Sequence, residues 1–356
     1  MDPANAHLAE LGTLWRWFEG TIAPGYSPLY SAIATAVADD REVLGLVQAT
    51  PPDAHHPPAL LAAVHYLLLG GLDHPLGAVY GGESDADPAP LFRDLCLSHR
   101  DELVELLAFR RVQTNEVGRS SLIGPGLLWA AGRYGAPLQL VDVGCSAGLN
   151  LLCDEYLLDY GPYGRTGSTE AEVRIECEVV GGPPPVAPRL PDVAGRTGID
   201  RNPPDLADPD DARWLLACVW PDTGRLERSA TAIRRAAGRQ PAIHAGDAVA
   251  LLPGVLAGLG PGLVVVVTTW AYAYLLPEQR PAFVDALRAT GRHRPVVWVA
   301  AEGRGVVEAM DASGMPGPPD APECDVLSAW SFDGGTEEIV ALALVHSHGQ
   351  WLDWRA

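Results

Sequence analysis

The sequence predicts an α/β protein: a Rossmann-like, mostly parallel seven-stranded sheet with an antiparallel C-terminal hairpin, preceded by an N-terminal helical cap. Three observations predict it. The run Leu138-Gln139-Leu140-Val141-Asp142-Val143 ends in a glycine-containing turn, and Asn150–Leu157 then reads as a helix, the strand–turn–helix unit that opens a doubly wound sheet. Leu263–Val267 is a continuous apolar run, the pattern of a strand buried on both faces. Before Pro137 the apolar residues recur at helical spacing and no strand pattern interrupts them.

In chain order, Leu8, Leu11, Leu14, Trp15 and Phe18 fall at three- and four-residue steps, as do Leu60, Leu61, Val64, Leu67 and Leu68. A further helix is expected near Leu95–Phe109, and Pro51-Pro52, Pro57-Pro58 and Pro88–Pro90 punctuate the region. Residues 1–135 therefore read as a helical cap and substrate domain, and 136–356 as the sheet domain. Within the latter, 161–195 reads as an insertion, with Glu172–Val180 as a lone strand and Pro183–Pro191 as a rigid connector. Arg196–Asp200 and Ala242–Asp247 are the second and third strands, each ending in an acid. Leu263–Val267 and Pro295–Ala301 are the fourth and fifth, with a helix over Pro281–Thr290 between them. Ser328–Asp333, the Gly334-Gly335 turn and Glu337–His346 complete an antiparallel hairpin.

Composition narrows the function. A formal charge of −20 repels a polyanion at long range, so a nucleic-acid partner is disfavoured. The cluster Arg225, Arg228, Arg234, Arg235 and Arg239 reads as a solvated helix face. The six cysteines form no CxxC pair, which argues against a disulfide framework and a structural zinc site, and no metal is expected. The start of the chain is acidic and lacks the apolar core of a signal peptide. The apolar stretches Ala59–Leu72 and Leu263–Leu276 are short for a bilayer span and contain His65 and Thr268. A cytoplasmic protein without membrane contact and with a small-molecule substrate is expected; the oligomeric state is not legible.

The turn Gly144-Cys145-Ser146-Ala147-Gly148 carries the chemistry. Gly144 and Gly148 allow a sharp reversal at the carboxyl end of the first strand, where a following helix points its amides. A dinucleotide loop has G-x-G-x-x-G; here Ser146 stands at the middle glycine, and its Cβ is awkward beside a pyrophosphate. S-adenosylmethionine (SAM) has no phosphate and fits better. Asp142 is then placed for the cationic amino end of the methionine, and Asp200 for the ribose hydroxyls. Asp200 lies much further along the chain than the about 20 residues of a simple unit, an excess that the insertion accommodates. Asp247 is placed to accept from the adenine amino group and the Ala248 amide to donate to the ring, although such an aspartate equally reads as a helix N-cap. Asn150 and Thr269 complete the expected cofactor-binding set. An ordinary tight strand-to-helix turn is the competing reading of the loop.

Several stretches resemble a known family. Gln113-Thr114-Asn115-Glu116-Val117-Gly118-Arg119, Val141–Asn150, Gly198–Pro203, Val219-Trp220-Pro221-Asp222, Ser27-Pro28-Leu29-Tyr30, Ala63–Leu69 and His346–Trp354 are similar to domain of unknown function 2332, an uncharacterised bacterial family abundant in actinobacteria. That resemblance spans nearly the whole chain and implies no activity. From about 140 to 350 the chain also resembles class I SAM-dependent methyltransferases, whose five βα-type strands precede a hairpin with its last strand inserted antiparallel. This second resemblance implies SAM as cofactor and methyl transfer to oxygen or nitrogen of a small molecule, such as a specialised metabolite.

Methyl transfer needs alignment of donor and acceptor, and for some acceptors a base. Trp270 and Tyr272, just past the fourth strand, are expected to wall the methyl pocket, with Tyr274 contacting substrate; all three equally read as core residues. Glu116 is the candidate base, with Asn115 and Arg119 as substrate contacts, against the reading of a buried salt bridge. His346 and His348 lack a third ligand and read as structural, Asp222 as a turn residue and His65 as a core histidine. Two other functions stay open: a SAM-fold protein that binds a ligand or partner without turnover, and an NAD(P)-dependent oxidoreductase, which Ser146 disfavours.

Overall fold

The computed structural model describes residues 3–21, 26–307, 315, 317 and 324–356. In chain order its helices are α1 (Pro3–Thr21), α2 (Pro28–Val37), α3 (Arg41–Gln48), α4 (Pro57–Leu69), α5 (Leu76–Tyr80), α6 (Pro88–Ser98), α7 (Arg100–Phe109), α8 (Ser120–Tyr134), α9 (Pro209–Ala217), α10 (Leu226–Arg239), α11 (Ala248–Gly258) and α12 (Arg280–Gly291). The strands are β1 (Leu138–Val143), β2 (Leu157–Asp159), β3 (Arg165–Thr166), β4 (Arg174–Glu176), β5 (Glu178–Val179), β6 (Val193–Asp200), β7 (Ala242–Ala245), β8 (Leu263–Thr269), β9 (Val296–Glu302), β10 (Asp325–Asp333), β11 (Thr336–Val345) and β12 (Trp351–Trp354).

The chain divides into two compact units, Met1–Thr114 with Asp205–Ala230, and Asn115–Pro204 with Thr231–Ala356. This division differs from the expected boundary at residue 135. α8 belongs to the second unit because its small residues let it lie close on the sheet: a Cβ at Gly126 would sit 2.7 Å from Val299 Cγ1.

The first unit is helical. Its core joins the apolar faces of α1 to α4 and α6 (Trp15, Phe18, Ile33, Val43, Leu60, Phe92) to Trp214 of α9. Ser27 and Asp40 cap α2 and α3 through side-chain bonds to backbone amides. The helix expected over Leu95–Phe109 is two helices that break at His99, where the acids Asp101 and Glu102 begin a new first turn. His65 is a buried core residue whose Nδ1 lies 3.1 Å from the Ala217 carbonyl oxygen.

The second unit is built on a nine-stranded sheet in the order β5-β12-β11-β10-β9-β8-β1-β6-β7. The pairs from β7 through β9 are parallel; β9–β10, β10–β11 and β11–β12 are antiparallel. Seven strands were expected. Trp351–Trp354 extends the hairpin into a three-strand meander, and β5, from the expected insertion, pairs with β12 at the edge. The hairpin also docks differently from the methyltransferase expectation: its first strand, β10, takes the place beside β9, so nothing is inserted between them. The rest of the insertion forms a small sheet, β3-β2-β4. The expected helix over Asn150–Leu157 is a 3₁₀ segment, Leu149–Glu155, kinked at Leu152 and followed at once by β2.

The apolar faces of α11 and α12 pack on one side of the sheet against Val141, Val264, Val266 and Trp298. Of the arginine cluster, Arg235 and Arg239 pair with Glu155 at 2.6 and 2.9 Å. No helix among the described residues is long and apolar enough to cross a membrane.

Candidate functional site

Strand order decides where a site can form. From β1 the chain adds β6 and β7 on one side and β8 and β9 on the other, so the order reverses between β1 and β8. Connections leave the carboxyl ends of these two strands in opposite directions, the place where ligands bind in open sheets of this kind. In register, Asp142 lies between Gly198 of β6 and Val267 of β8, and Val143 beside Thr268.

Two loops meet at that end. Gly144 (φ 78°) begins the first, and Ala271 occupies the space where a Cβ on Gly144 would stand. Its glycine is thus required by the neighbouring loop as well as by its backbone conformation. Ser146 (φ 51°) and Trp270 (φ 55°) hold the left-handed backbone that side-chain-bearing residues avoid, one past each strand. Strain of this kind persists only where surrounding bonds over-determine it. For Ser146 they are visible: its amide donates to Asp200 Oδ2 at 2.8 Å, while Asp200 Oδ1 accepts from the Asn202 amide at 2.9 Å. Asp200 therefore turns into the loop, with its carboxylate fixed by two amides.

Asp142 is buried, and its Oδ1 has no hydrogen-bond partner among the described residues. Burial first, and then the charge of Asp200, push its pKa up to about 7, against a pull downward from Arg119. Arg119 lies just before α8 and is also buried. Its Nε donates to the Ser347 carbonyl at 3.1 Å and Nη1 to the Thr269 carbonyl at 3.0 Å, and its guanidinium stacks 4.4 Å from the Trp270 ring centroid. Burial lowers its pKa, opposed by Glu116, Glu302, Asp142 and Tyr274.

The other expected residues divide. Asn115 reaches the loop, accepting from the Leu149 amide at 3.2 Å. Thr269 takes part through its carbonyl. Tyr274 is 85% exposed and lies within electrostatic reach of Arg119. Gly148 closes the loop under Pro241 and Ile243. Asp247 caps α11 through the Ala250 amide at 3.0 Å, with Arg201 at 3.8 Å from its other oxygen, and Ala248 is the first residue of that helix.

Three expectations are corrected. Tyr272 is a core residue, its ring centroid 5.4 and 4.8 Å from those of Phe283 and Trp298, as the alternative reading had it. Asn150 is a structural tie: its Oδ1 accepts from Ser120 at 2.7 Å and its Nδ2 donates to the Glu116 carbonyl at 3.2 Å. Glu116 is a buried cap whose Oε1 accepts from the Gly118 amide at 2.7 Å, so one oxygen is already committed to the backbone.

Sequence reasoning missed Glu302. It ends β9, is 2% exposed, and its Oε1 accepts from the Ala271 and Tyr272 amides at 3.1 and 3.0 Å, which sets the loop that carries Trp270. Its pKa is raised by burial and held back by those amides. The signal was present: an apolar strand ending in an acid, the rule that had selected Asp142 and Asp200. Asp325, beside the Trp270 indole and raised by burial, was missed too. His348 was set aside as structural, yet its Nδ1 lies 3.9 Å from Glu116 Oε2. Among the described residues no three His, Cys, Asp or Glu side chains are grouped as for a metal.

Fold and site define a class: a mixed α/β protein whose large sheet gathers a buried acid, a buried arginine and two strained loops at the point where its strand order reverses. The chain belongs to the bacterial family described as "Uncharacterized protein conserved in bacteria (DUF2332)", whose model matches residues 14–354. No curated protein matches it.

Proposed function

We propose that this protein is a SAM-dependent methyltransferase acting on oxygen or nitrogen of a small-molecule acceptor, with a Rossmann-like sheet whose donor site is the β1/β8 crevice. The observation that carries the reading is the unpartnered Oδ1 of Asp142. A buried carboxyl oxygen without a donor costs about 1–3 kcal/mol, and at the switch point of the sheet a cationic ligand group would answer it. The methionine ammonium of SAM is such a group. Asp200 keeps lone pairs beyond its two amide bonds and lies on the next strand toward β7, the position for ribose hydroxyls. Ser146, with a side chain where a pyrophosphate loop needs none, weighs against a dinucleotide. The position of β10 beside β9 weighs against the usual hairpin of such enzymes, but it lies three strands from Asp142.

When bound, SAM supplies an activated methyl group on a sulfonium. This chain's own contribution is to hold the donor and align the acceptor near Trp270. Calorimetric titration with SAM, S-adenosylhomocysteine and NAD(P) tests the proposal. Binding of the first two, weakened in Asp142→Asn, supports it; binding of NAD(P) alone, or of none, refutes it. A second reading, binding without turnover, draws on the backbone cap that engages Glu116. Transfer of label from methyl-labelled SAM to the small-molecule fraction of an extract separates the two.

A further inference from the structure

We propose that the helical unit binds a small organic cation, an amine or quaternary ammonium on a hydrophobic body, in a groove between α4 and α7. The inference is independent of the methyltransferase reading, because every residue it uses lies in the unit Met1–Thr114 with Asp205–Ala230.

The groove is a cavity of about 280 Å³. Tyr66 and Leu67, near the end of α4, line one side, and Glu102, Glu105, Leu106 and Phe109 of α7 line the other. Positions 102, 105, 106 and 109 share one helix face, at steps of three and four. Leu103 and Leu107 turn the neighbouring face into the core of the unit, which leaves the 102–109 face along the groove. Phe109 is 82% exposed and, with Leu67 and Leu106, makes an apolar wall with room against it.

Charge decides which ligand fits that wall. The arginines near the groove are neutralised within the protein, Arg110 by Asp211 and Arg213 by Asp210. The acids of α7 are not. Among the described residues Glu102 meets the His99 ring at 3.3 Å, and Glu105 is exposed and makes no ion pair. Like charges one turn apart on a helix repel each other, and a formal charge of −20 draws cations toward the surface. The protein already makes the contact expected of such a ligand. The Arg213 guanidinium stacks 4.2 Å from the Tyr66 ring centroid and donates to its hydroxyl at 2.9 Å. The exposed Phe109 ring offers a second aromatic surface of this kind.

An anion would face both glutamates. A neutral hydrocarbon would fill the wall but strip water from the carboxylates without replacing it. A hydrophobic cation meets both needs, its body on Leu67, Leu106 and Phe109 and its charge at Glu102 and Glu105. The volume lies just under the roughly 300–1,000 Å³ of drug-sized sites, so a ligand of one ring and a short chain is the right size.

Ligand-observed NMR of the full chain at neutral pH with 2-phenylethylamine, 2-phenylethanol and 3-phenylpropionate tests this, since the three share a ring and differ in charge. The amine should bind about 3- to 10-fold tighter than the alcohol, the range of an exposed ion pair with a cation–π contact, and the propionate weakest. Glu102→Gln with Glu105→Gln should bring the amine down to the alcohol and leave the alcohol unchanged, and Phe109→Ser should weaken both. All three side chains are exposed, so these variants should melt as the parent does. Equal affinity for amine and alcohol in the unaltered protein overturns the proposal, as does undetectable binding of all three, and neither result needs a variant. An amine affinity unchanged in the double glutamine variant overturns it too, because the cation is then held elsewhere. Sedimentation of the parent and of Phe109→Ser decides the remaining occupant: a dimer that only the parent forms makes the groove a contact between copies and overturns the cation site.

Discussion

Replacing Asp142 by asparagine should stabilise the fold at neutral and alkaline pH while removing its grip on a cationic ligand. Burial moves the ionisation of this carboxyl up to about 7 in the fold, against 3.8 for an ordinary aspartate. Each pH unit between those values corresponds to about 1.4 kcal/mol. Above pH 3.8 the unfolded chain releases this proton and the folded one retains it, so the group's stabilising effect is full below 3.8 and is lost as pH rises through 7. The loss totals about 4 kcal/mol, because the ionised carboxylate must then sit buried and unpartnered. Asparagine does not titrate, but it buries an amide donor without an acceptor, at about 1–3 kcal/mol. The variant should therefore be less stable than the parent at pH 4.5 and more stable at pH 8. The two melting curves should cross, with the difference in melting temperature changing by about 10 °C over the range. Thermal unfolding of both proteins in matched buffers from pH 4.5 to 8 measures this, since titrations not coupled to Asp142 cancel in the difference. Melting temperatures that stay parallel would refute the reasoning: Asp142 would then be an ordinary ionised carboxylate, and the cost attributed to its burial would not exist.

Asp200→Ala frees the Ser146 and Asn202 amides and should cost about 1–3 kcal/mol in urea unfolding; a loss under about 0.5 kcal/mol would mean Asp200 does not pin the loop. Gly144→Ala forces a side chain into positive φ and onto Ala271, at about 2–4 kcal/mol together. Adding Ala271→Gly should recover the steric part of that loss and leave the backbone part, and a double variant no better than the single would sink the assignment. Burial holds the His65 imidazole down to about 4, so its stabilising effect is present above 6.5 and is lost as pH falls toward 4, by about 3 kcal/mol. Hydrogen exchange in α4, corrected for intrinsic rates, should show this loss between pH 6.5 and 4.5 in the parent and not in His65→Leu.

The parts of the fold that a local pattern determines were readable in the sequence. β1 and β8 are apolar enough to require burial on both faces, and α1 and α4 carry their cores at helical spacing. What could not be read depends on partners distant in sequence. β12 is a strand only because β11 offers it an edge, and β5 only because β12 does. The segment after the loop has helical residues but tightens into a 3₁₀ turn, where Asn150 is tied to Ser120 and to the Glu116 carbonyl. The site divides in the same way. Asp142 and Asp200 could be placed at the carboxyl end of the sheet because each stands at or next to the end of a parallel strand, whatever else surrounds it. The side chains of Glu116, Asn150 and Tyr272 were misassigned because a residue's distance from a loop in sequence says nothing about which backbone amide or ring it will meet.

Four unfavourable features share one end of one sheet: left-handed backbone at Ser146 and at Trp270 and, among the described residues, a buried carboxyl oxygen of Asp142 without a donor and a buried Arg119 with no carboxylate bonded to it directly. Their causes are not all shared: relaxing the Ser146 backbone would not partner Asp142, whereas Arg119 is tied to the Trp270 loop by its stacking and its bond to the Thr269 carbonyl. Each is also removable by a single substitution that elsewhere in the chain is common, such as glycine at 146 or asparagine at 142. A sheet under selection for stability alone has no reason to collect all four at its switch point, since the same acids and loops would serve as plain turn and cap residues, as Asp247 does for α11. Concentration there follows if one ligand relieves them together. Ligand binding should then raise the melting temperature of the parent by more than it raises that of Asp142→Asn or Arg119→Gln at equal saturation, because only the parent has both costs to be relieved.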